Sequence, residues 1–133
     1  MPPKSDPQTW TDPRHRRGLA AEREAAEYLT SCGWDVLAHR FRVGRWEVDL
    51  IARKGRVVAF VEVKARRGTA FGRPEEAVTW SKRREIVRVA KAWMDRFGRP
   101  GDEFRFAVVG VSLERHGVAR MLHVDDAFWA GWR

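Results

Sequence analysis

The sequence predicts an α/β fold in which a central mixed β-sheet of about five strands is flanked by helices. Helical and β-rich segments follow one another in the order α-β-β-β-α-β-β-α, which is typical of a sheet with helices packed on it. One segment, Val57 to Lys64, is apolar on both faces for most of its length, as expected for a central strand covered on two sides. At 133 residues the chain is long enough to form one domain with a substantial core.

The first half of the chain begins with an amphipathic helical pattern, and Gly33 is expected to end the helix as its C-terminal cap. Two runs rich in β-branched and aromatic residues follow, and the dipeptide Lys54-Gly55 predicts a two-residue turn into a third run. The predicted elements are, in order, a helix over Gly18 to Ser31 and strands over Trp34 to Val43, Arg45 to Arg53 and Arg56 to Ala65.

The second half begins with a basic, glycine-containing loop, Arg66 to Pro74. Helical sequence follows over Glu75 to Phe97, and the pattern is compatible with a break near Thr79. The segment Gly98-Arg99-Pro100-Gly101 is expected to end this helix. The remaining predicted elements are strands over Phe104 to Leu113 and Val118 to Val124, and a short C-terminal helix that Asp125 or Asp126 can cap.

Residues 1–17 are rich in proline and charge, which predicts a flexible basic arm before a single domain over residues 18–133. This arm lacks the apolar stretch of a signal peptide, and no apolar run approaches the roughly 20 residues of a membrane span. Cys32 is the only cysteine, so neither an intramolecular disulfide nor a cysteine-based zinc cluster can form. We therefore expect a protein of the reducing cytoplasm.

The net charge of +8 and the isoelectric point near 10.7 are high for so short a chain. A strong positive field attracts phosphate polymers and other anionic surfaces, which favours nucleic acid as a partner. The alternative is that arginine serves as a general solubilising residue, and charge alone does not separate the two.

Two charged residues interrupt the apolar third strand. Glu62 and Lys64 are two residues apart, so they project from the same face of the sheet. An ionised group in such a place costs several kcal/mol unless it is paired or bound to a metal. These two side chains therefore require a partner.

The preceding strand carries acidic residues with the same spacing. Glu47 and Asp49 are expected to share one face of that strand. The predicted turn places Glu47 opposite Glu62, with Asp49 on the diagonal within about 7–8 Å. If the register is shifted by two residues, Asp49 lies opposite Glu62 instead. Both registers gather these carboxylates and Lys64 on one surface.

Carboxylates that face one another across strands destabilise a sheet unless a positive charge lies between them. A hard divalent cation with oxygen ligands suits this position, and Mg²⁺ commonly uses one or two carboxylates and keeps several waters. The alternative is a structural network in which Lys64 neutralises Glu62 and an arginine neutralises the other acids.

Two further charged residues lie on faces of helices that should be buried. Glu22 falls in the middle of the apolar stripe of the first helix and is predicted to point at the sheet. A favourable position near the positive end of the helix dipole is the alternative explanation for an acid there. Lys82 lies in line with Ile86, Ala90 and Trp93, so it can reach the acidic site or a phosphate, or extend to solvent as an ordinary lysine.

The pattern of Asp49, a spacer, and then Glu62 and Lys64 on adjacent strands resembles the PD-(D/E)xK nuclease superfamily. The surrounding sequence is similar to the YraN family of small bacterial proteins over about Gly18 to Phe128. The segments that carry this resemblance are Gly18 with Glu22 and Tyr28-Leu29, Glu47 to Ala52, Phe60 to Arg66, Phe71-Gly72, Ala77-Val78 with Lys82, and His123 to Phe128.

The resemblance implies a restriction-endonuclease-like fold, similar to that of archaeal Holliday-junction resolvases. Two positions differ from the usual family pattern, since Trp46 stands in place of a glycine and Ala107 in place of an aspartate. Neither position belongs to the set of Asp49, Glu62 and Lys64.

The same resemblance implies a metal-dependent endonuclease with Mg²⁺ or Mn²⁺ as its cofactor. The catalytic residues it implies are Asp49, Glu62, Lys64, Glu22 and Glu47. The implied metal ligands are Asp49, Glu62 and the Val63 backbone carbonyl, with Glu22 or Glu47 completing the shell directly or through water. Nucleic-acid binding is expected of Lys82, Arg66, Arg67, Arg73 and Phe71. The loop that begins at Arg66 could also be a simple connector.

Three functions are compatible with these features. The first is a nuclease for branched or irregular DNA, and the second is a non-catalytic module that binds DNA or RNA through its basic face. The third is an assembly partner whose carboxylates serve structure alone. DNA is favoured over RNA, a homodimer is compatible with the sequence, and the concentration of acids around Lys64 favours the nuclease.

Overall fold

The computed structural model describes residues 5–10, 16–67, 78–114 and 117–124. Most of these residues belong to two helices and five strands. The elements are α1 (Arg16–Ser31), β1 (Asp35–Val43), β2 (Trp46–Lys54), β3 (Val57–Arg67), α2 (Trp80–Phe97), β4 (Glu103–Glu114) and β5 (Gly117–Val124), preceded by a short 3-10 turn at Pro7–Thr9.

The five strands form one mixed sheet in the order β1-β2-β3-β4-β5. Neighbouring strands are antiparallel except for β3 and β4, which are parallel. Parallel neighbours require a crossover connection, and α2 lies in that connection. The predicted α/β class, the number of strands and the flanking helices are therefore confirmed.

A separate hydrophobic core covers each face of the sheet. The α1 core contains Leu19, Ala25, Leu29, Val61 and Val109 among others. The α2 core contains Phe60, Ile86, Val89, Trp93 and Val108 among others. Side chains of β3 enter the two cores alternately, so β3 is the central strand covered on both sides that the sequence predicts.

The turn between β2 and β3 differs by one residue from the prediction. The first pair of the ladder is Lys54 with Val57, so the two central residues of the turn are Gly55 and Arg56. Gly55 has a φ of +61°, and a hairpin turn of type II′ requires such a conformation at its first central position. The position of the glycine thus selects the second of the two registers considered from the sequence.

Residues 5–10 pack against the domain, so the predicted flexible arm over residues 1–17 is wrong for this segment. The backbone amide of Ser5 donates to the Val36 carbonyl at 2.9 Å. Trp10 is 6% exposed within the α1 core, and its indole stacks on the imidazole of His39. Arg23 donates to the backbone carbonyls of Pro7 and Trp10, which ties the segment to α1.

Helix α2 begins at Trp80, where Thr79 acts as N-cap by accepting a hydrogen bond from the Lys82 amide at 3.1 Å. The part of the predicted helix over 75–77 and the predicted C-terminal helix after residue 124 lie outside the described residues. Neither helix in the described ranges is long and apolar enough to cross a membrane.

A buried ion pair joins the end of β2 to the loop before β4. Arg53 donates two hydrogen bonds to the Asp102 carboxylate, at 2.8 and 2.9 Å, and the two side chains are 7% and 3% exposed. Asp102→Ala leaves the buried guanidinium without its counterion. We therefore expect a loss of about 3 kcal/mol in the free energy of unfolding, measured by urea denaturation.

The exposed pair of Arg105 and Glu103 is the control, because it has the same 2.8 Å separation with side chains that are 34% and 57% exposed. Glu103→Ala should change the free energy of unfolding by less than about 1 kcal/mol, since surface ion pairs contribute little. Equal losses in the two variants would contradict the role given to the buried pair.

Candidate active site

The candidate site lies where β2 and β3 separate. Their ladder runs from Lys54 and Val57 as far as Leu50 and Val61. Beyond that point the side chain of Asp49 enters the gap, and its Oδ2 accepts a hydrogen bond from the Val63 amide at 2.7 Å. At the end of the ladder, a carboxylate oxygen thus replaces a backbone carbonyl as the hydrogen-bond acceptor.

Glu62 and Lys64 point to the α2 side of the sheet. Their neighbours along β3, Val61, Val63 and Ala65, all pack in or against the α1 core, and strand side chains alternate between faces. The Nζ atom of Lys64 lies 3.8 Å from Oε2 of Glu62. The structure therefore places these two side chains together, as their spacing predicts.

Glu47 does not join them, and the prediction that it shares the face of Glu62 is wrong. Trp46 and Val48 both pack on the α2 side, so Glu47 between them points to the opposite face. Its carboxylate accepts hydrogen bonds from Nη2 and Nε of Arg42 at 2.8 and 3.2 Å. Arg42 therefore neutralises Glu47, and the pair lies on the face of the sheet opposite to Glu62.

The difference arises from an irregularity in two neighbouring strands. Val48 and Ile51 pack in the α2 core while Leu50 packs in the α1 core, so the alternation of β2 shifts by one residue at Asp49. On β1, Arg40 has a φ of +52°, which is uncommon for a residue with a side chain. The shift places Asp49 between the two faces of the sheet.

Lys82 reaches the acids from the first turn of α2. Its Nζ atom donates to the Glu47 backbone carbonyl at 3.0 Å and to Oε2 of Glu85 at 2.8 Å. The same atom lies 3.8 Å from Oε2 of Glu62. Lysines from β3 and from α2 therefore flank Glu62, and Glu85 is a contributor that the sequence reasoning missed.

Asp49 and Glu62 form an acidic pair in which Glu62 is buried and Asp49 is partly exposed. Glu62 is 4% exposed, and its Oε1 atom has no hydrogen-bond partner among the residues that the structure describes. Burial and then the neighbouring Asp49 carboxylate raise the pKa of Glu62 to about 9. Burial also raises the pKa of Asp49. At neutral pH the pair therefore holds a proton unless another positive charge replaces it.

Glu22 reaches the sheet beside this pair but has His39 and Arg40 as partners of its own. Its carboxylate contacts Nε2 of His39 at 2.5 Å and Nε of Arg40 at 2.9 Å. Burial opposes ionisation, yet the hydrogen bonds from His39 and Arg40 hold the pKa of Glu22 below its ordinary value. Its negative charge helps to raise the pKa of Asp49. Glu22 is thus an ionised neighbour of the acidic pair.

The sequence offered only a weak signal for these partners of Glu22. His39 and Arg40 are adjacent polar residues in a strand, which breaks the expected alternation of apolar and polar positions. Their contacts with Glu22 join residues 17 and 18 positions apart, so they depend on how α1 packs on β1.

The predicted nucleic-acid-binding residues begin at the end of β3. Arg66 and Arg67 continue the parallel pairing of β3, opposite Ser112 and Leu113 of β4. Phe71 and Arg73 lie outside the described residues. The strand that carries Glu62 and Lys64 therefore leads directly into the basic loop.

The acidic pair fits a hard divalent cation. The Oε1 atom of Glu62 has no hydrogen-bond partner among the described residues, and the pKa of this carboxyl is raised, so added positive charge would satisfy both carboxylates. Within the described ranges, no group of three or more His, Cys, Asp or Glu side chains is arranged to hold a metal ion. Mg²⁺ needs only one or two carboxylates when waters complete its shell.

The raised pKa of Glu62 gives a pH dependence with a definite sign. The folded state keeps a proton that the unfolded state loses above the ordinary pKa of 4.5, so stability falls as the pH rises from about 4.5 to about 9. In the presence of EDTA, Glu62→Gln should remove most of this slope and raise the free energy of unfolding at pH 8 by about 1–2 kcal/mol. Urea denaturation across this pH range measures both effects.

Glu22→Gln is the matched control because the pKa of Glu22 is lowered in the folded state. Its ionised form stabilises the fold above its ordinary pKa, and that stabilisation is lost as the pH falls through the folded value. This variant should therefore be less stable than the wild type at pH 8. A destabilised Glu62→Gln at pH 8 would show that Glu62 is ionised and well paired in the folded protein.

Comparisons with known proteins agree on one family. The model of the family described as "Uncharacterised protein family UPF0102" matches residues 21–111. A UPF0102 protein of Symbiobacterium thermophilum is 43% identical over 115 residues, covering 86% of this chain and 98% of the relative. A UPF0102 protein of Rhodococcus jostii is 42% identical over 116 residues, with the same coverage.

Among solved structures, the chain is similar to SfsA of Pyrococcus furiosus in complex with Ca²⁺, with a TM-score of 0.34 and 12% identity. That match covers 83% of this chain and 62% of SfsA, and a likeness of this size does not bear on function. The sequence relatives are far more similar and span nearly the whole chain. The protein belongs to the UPF0102 family, as the YraN resemblance predicts.

Proposed function

We propose that the protein is a metal-dependent endonuclease that hydrolyses phosphodiester bonds in branched or otherwise irregular DNA. The observation that carries this proposal is the pair of Asp49 and the buried Glu62, in which Oε1 of Glu62 has no hydrogen-bond partner among the described residues and lysines lie on two sides. A fold does not keep unsatisfied buried acids without a cost, and such groups concentrate at functional sites.

Asp49 and Glu62 would hold Mg²⁺ or Mn²⁺, with the Val63 backbone carbonyl as a further ligand. The amide and carbonyl of a strand residue point to the same neighbouring strand, and the Val63 amide already points to Asp49. Glu22 would contribute through a water, because His39 and Arg40 occupy its carboxylate. When bound, the cation lowers the pKa of a coordinated water and stabilises charge that develops on the phosphate.

The side chains around the pair have distinct tasks in this proposal. Asp49 is oriented by the Val63 amide, so its carboxylate is positioned before a ligand arrives. Glu62 must release the proton that its raised pKa retains. Lys64, half-buried beside Glu62, would orient the attacking water or stabilise the charge of the transition state. Lys82 would balance the remaining negative charge, since its ammonium contacts both Glu85 and Glu62.

Substrate binding is attributed to the positive field of the chain and to the basic loop. A net charge of +8 favours any phosphate polymer, and β3 places Arg66 and Arg67 a few residues from the acidic pair. Arg73 and Phe71 follow in the sequence and could contact backbone and an unstacked base, respectively. Aromatic stacking on an exposed base would favour branched or irregular DNA over a regular duplex.

A second candidate function is binding of nucleic acid without cleavage. The net charge of +8 favours it, and the contacts of Lys64 and Lys82 with Glu62 are those of a self-neutralising cluster that can serve structure alone. This alternative requires neither a divalent cation nor an ionised Glu62. The two functions therefore differ in their response to metal and to substitution of the acidic pair.

Cleavage of a four-way junction, a flap and a linear duplex, assayed side by side on a denaturing gel, tests the proposal. Wild-type protein should cut at least one of these substrates in Mg²⁺ or Mn²⁺ and none in EDTA. Asp49→Asn and Lys64→Ala should each reduce the rate by at least about a hundredfold, since each removes a group that acts on the reacting phosphate.

Two charge-matched variants control for general effects. Lys54→Ala removes a lysine at the opposite end of β2, where its ammonium donates to the Cys32 carbonyl. Asp95→Asn alters an exposed acid of α2. Both should cut at the wild-type rate. If all five proteins bind the junction alike and none cuts any substrate, the binding module is the correct function.

Metal binding can be measured without activity. Mn²⁺ at about a hundred times its dissociation constant should raise the free energy of unfolding by about 2.7 kcal/mol. The gain should increase from pH 6 to pH 8, because the cation competes with the proton on Glu62. Glu62→Gln should show no such gain, whereas Glu47→Gln should retain it. A Mn²⁺ effect that is equal in all three proteins would place the cation elsewhere.

A further inference from the structure

A polar pocket lies beside the acidic pair, between the β1–β2 turn and the first half of α2. Its volume is about 220 Å³, and its lining residues are Arg45, Trp46, Ser81, Arg84, Glu85 and Arg88. That is the space of about seven water molecules. The pocket can therefore admit a group of the size of a phosphate with part of its ester substituents.

The lining carries an excess of positive charge. Three arginines face one acid, and that acid, Glu85, already accepts hydrogen bonds from Nζ of Lys82 at 2.8 Å and from the Glu47 amide at 3.2 Å. Burial opposes its ionisation, but these bonds hold the pKa of Glu85 below its ordinary value. Glu85 is thus an ionised and satisfied group, and the arginines of the pocket retain their charge.

An aromatic ring holds two of these arginines in place. Cζ of Arg88 lies 4.7 Å from the centre of the Trp46 ring, and Cζ of Arg45 lies 5.9 Å from it. In the part of the chain that the structure describes, no carboxylate hydrogen-bonds to Arg45, Arg84 or Arg88. A guanidinium stacked on a ring keeps its in-plane N–H groups available, and these groups match the oxygens of a phosphate.

The pocket is connected to the acidic pair through a single lysine. Nζ of Lys82 contacts Glu85, which lines the pocket, and lies 3.8 Å from Oε2 of Glu62. The side chain of this one lysine therefore separates the pocket from the acidic pair. Trp46 is covered by guanidinium groups and packs against the α2 core, so the pocket recognises charge and does not stack a base.

We propose that this pocket is a subsite for a backbone phosphate of the nucleic-acid strand, next to the phosphate held at the acidic pair. The inference rests on the proposed function for the identity of the strand. The ligand is a phosphodiester group, bound by Arg84 and Arg88 with Arg45 at the rim. Its task is to set the register of the strand without reading its sequence.

Binding of a fluorescently labelled junction and of a labelled single strand, measured by anisotropy in EDTA over a range of salt, tests this subsite independently of cleavage. Arg84→Ala and Arg88→Ala should each weaken binding about five- to tenfold at 0.1 M salt. Each should also reduce the slope of log K against log[salt] by about 0.7 to 0.9, the value for one lost phosphate contact.

Arg96→Ala is the matched control. Arg96 is an exposed arginine of the same helix, and its Cζ lies 5.1 Å from the ring centre of Phe97. Its substitution removes the same charge and the same kind of stacking at the far end of α2, so affinity and slope should stay near wild type. Arg88→Lys should restore much of the slope but less of the affinity, because lysine keeps the charge without the planar donors.

The outcomes separate this inference from the proposed function. If no variant cuts DNA but Arg84→Ala and Arg88→Ala lose affinity and slope relative to Arg96→Ala, the subsite stands and the nuclease proposal fails. If the wild type cuts DNA and all three alanine variants bind alike, the subsite is refuted. Calorimetric titration with inorganic phosphate and a mononucleotide tests the other source of phosphate. Tight binding of either, lost in Arg88→Ala while strand binding is unchanged, would also refute the backbone assignment.

Discussion

The hydrogen bond from the Val63 amide to Asp49 is the contact on which the candidate site depends. It ends the β2–β3 ladder and places a carboxylate in the gap between two otherwise apolar strands. Glu62 projects beside it from the central strand, so a buried acid meets one that is partly exposed. Removing carboxylates from water is costly, and the raised pKa of both groups is the consequence.

Cationic side chains surround this pair at increasing distance and with different functions. Lys64 and Lys82 contact Glu62 itself, and Arg40 neutralises the neighbouring Glu22, which also contacts His39. Beside them, Arg45 of the β1–β2 turn and Arg84 and Arg88 of α2 line a pocket that they share with Glu85. Within the described residues, several positive side chains are therefore grouped around one small negative centre.

Much of the fold could be predicted because it depends on local periodicity. The order of elements and the doubly buried strand were evident from runs of apolar residues, and the pairing of Glu62 with Lys64 followed from their spacing. The face of Glu47 could not be predicted, because a shift in alternation at Asp49 reverses it, and that shift depends on packing between three strands. The turn was misplaced by one residue, since Gly55 occupies its first central position instead of its second.

By itself the sequence determined the chemical character of the candidate site, namely carboxylates and a lysine on adjacent strands, and it identified the family. Only the tertiary structure decided which acids are neutralised and which are not. Glu47 and Glu22 have arginine partners, whereas Asp49 and Glu62 face each other. The reason is that electrostatic interactions act through space, so the state of each carboxylate depends on residues that only folding brings near it.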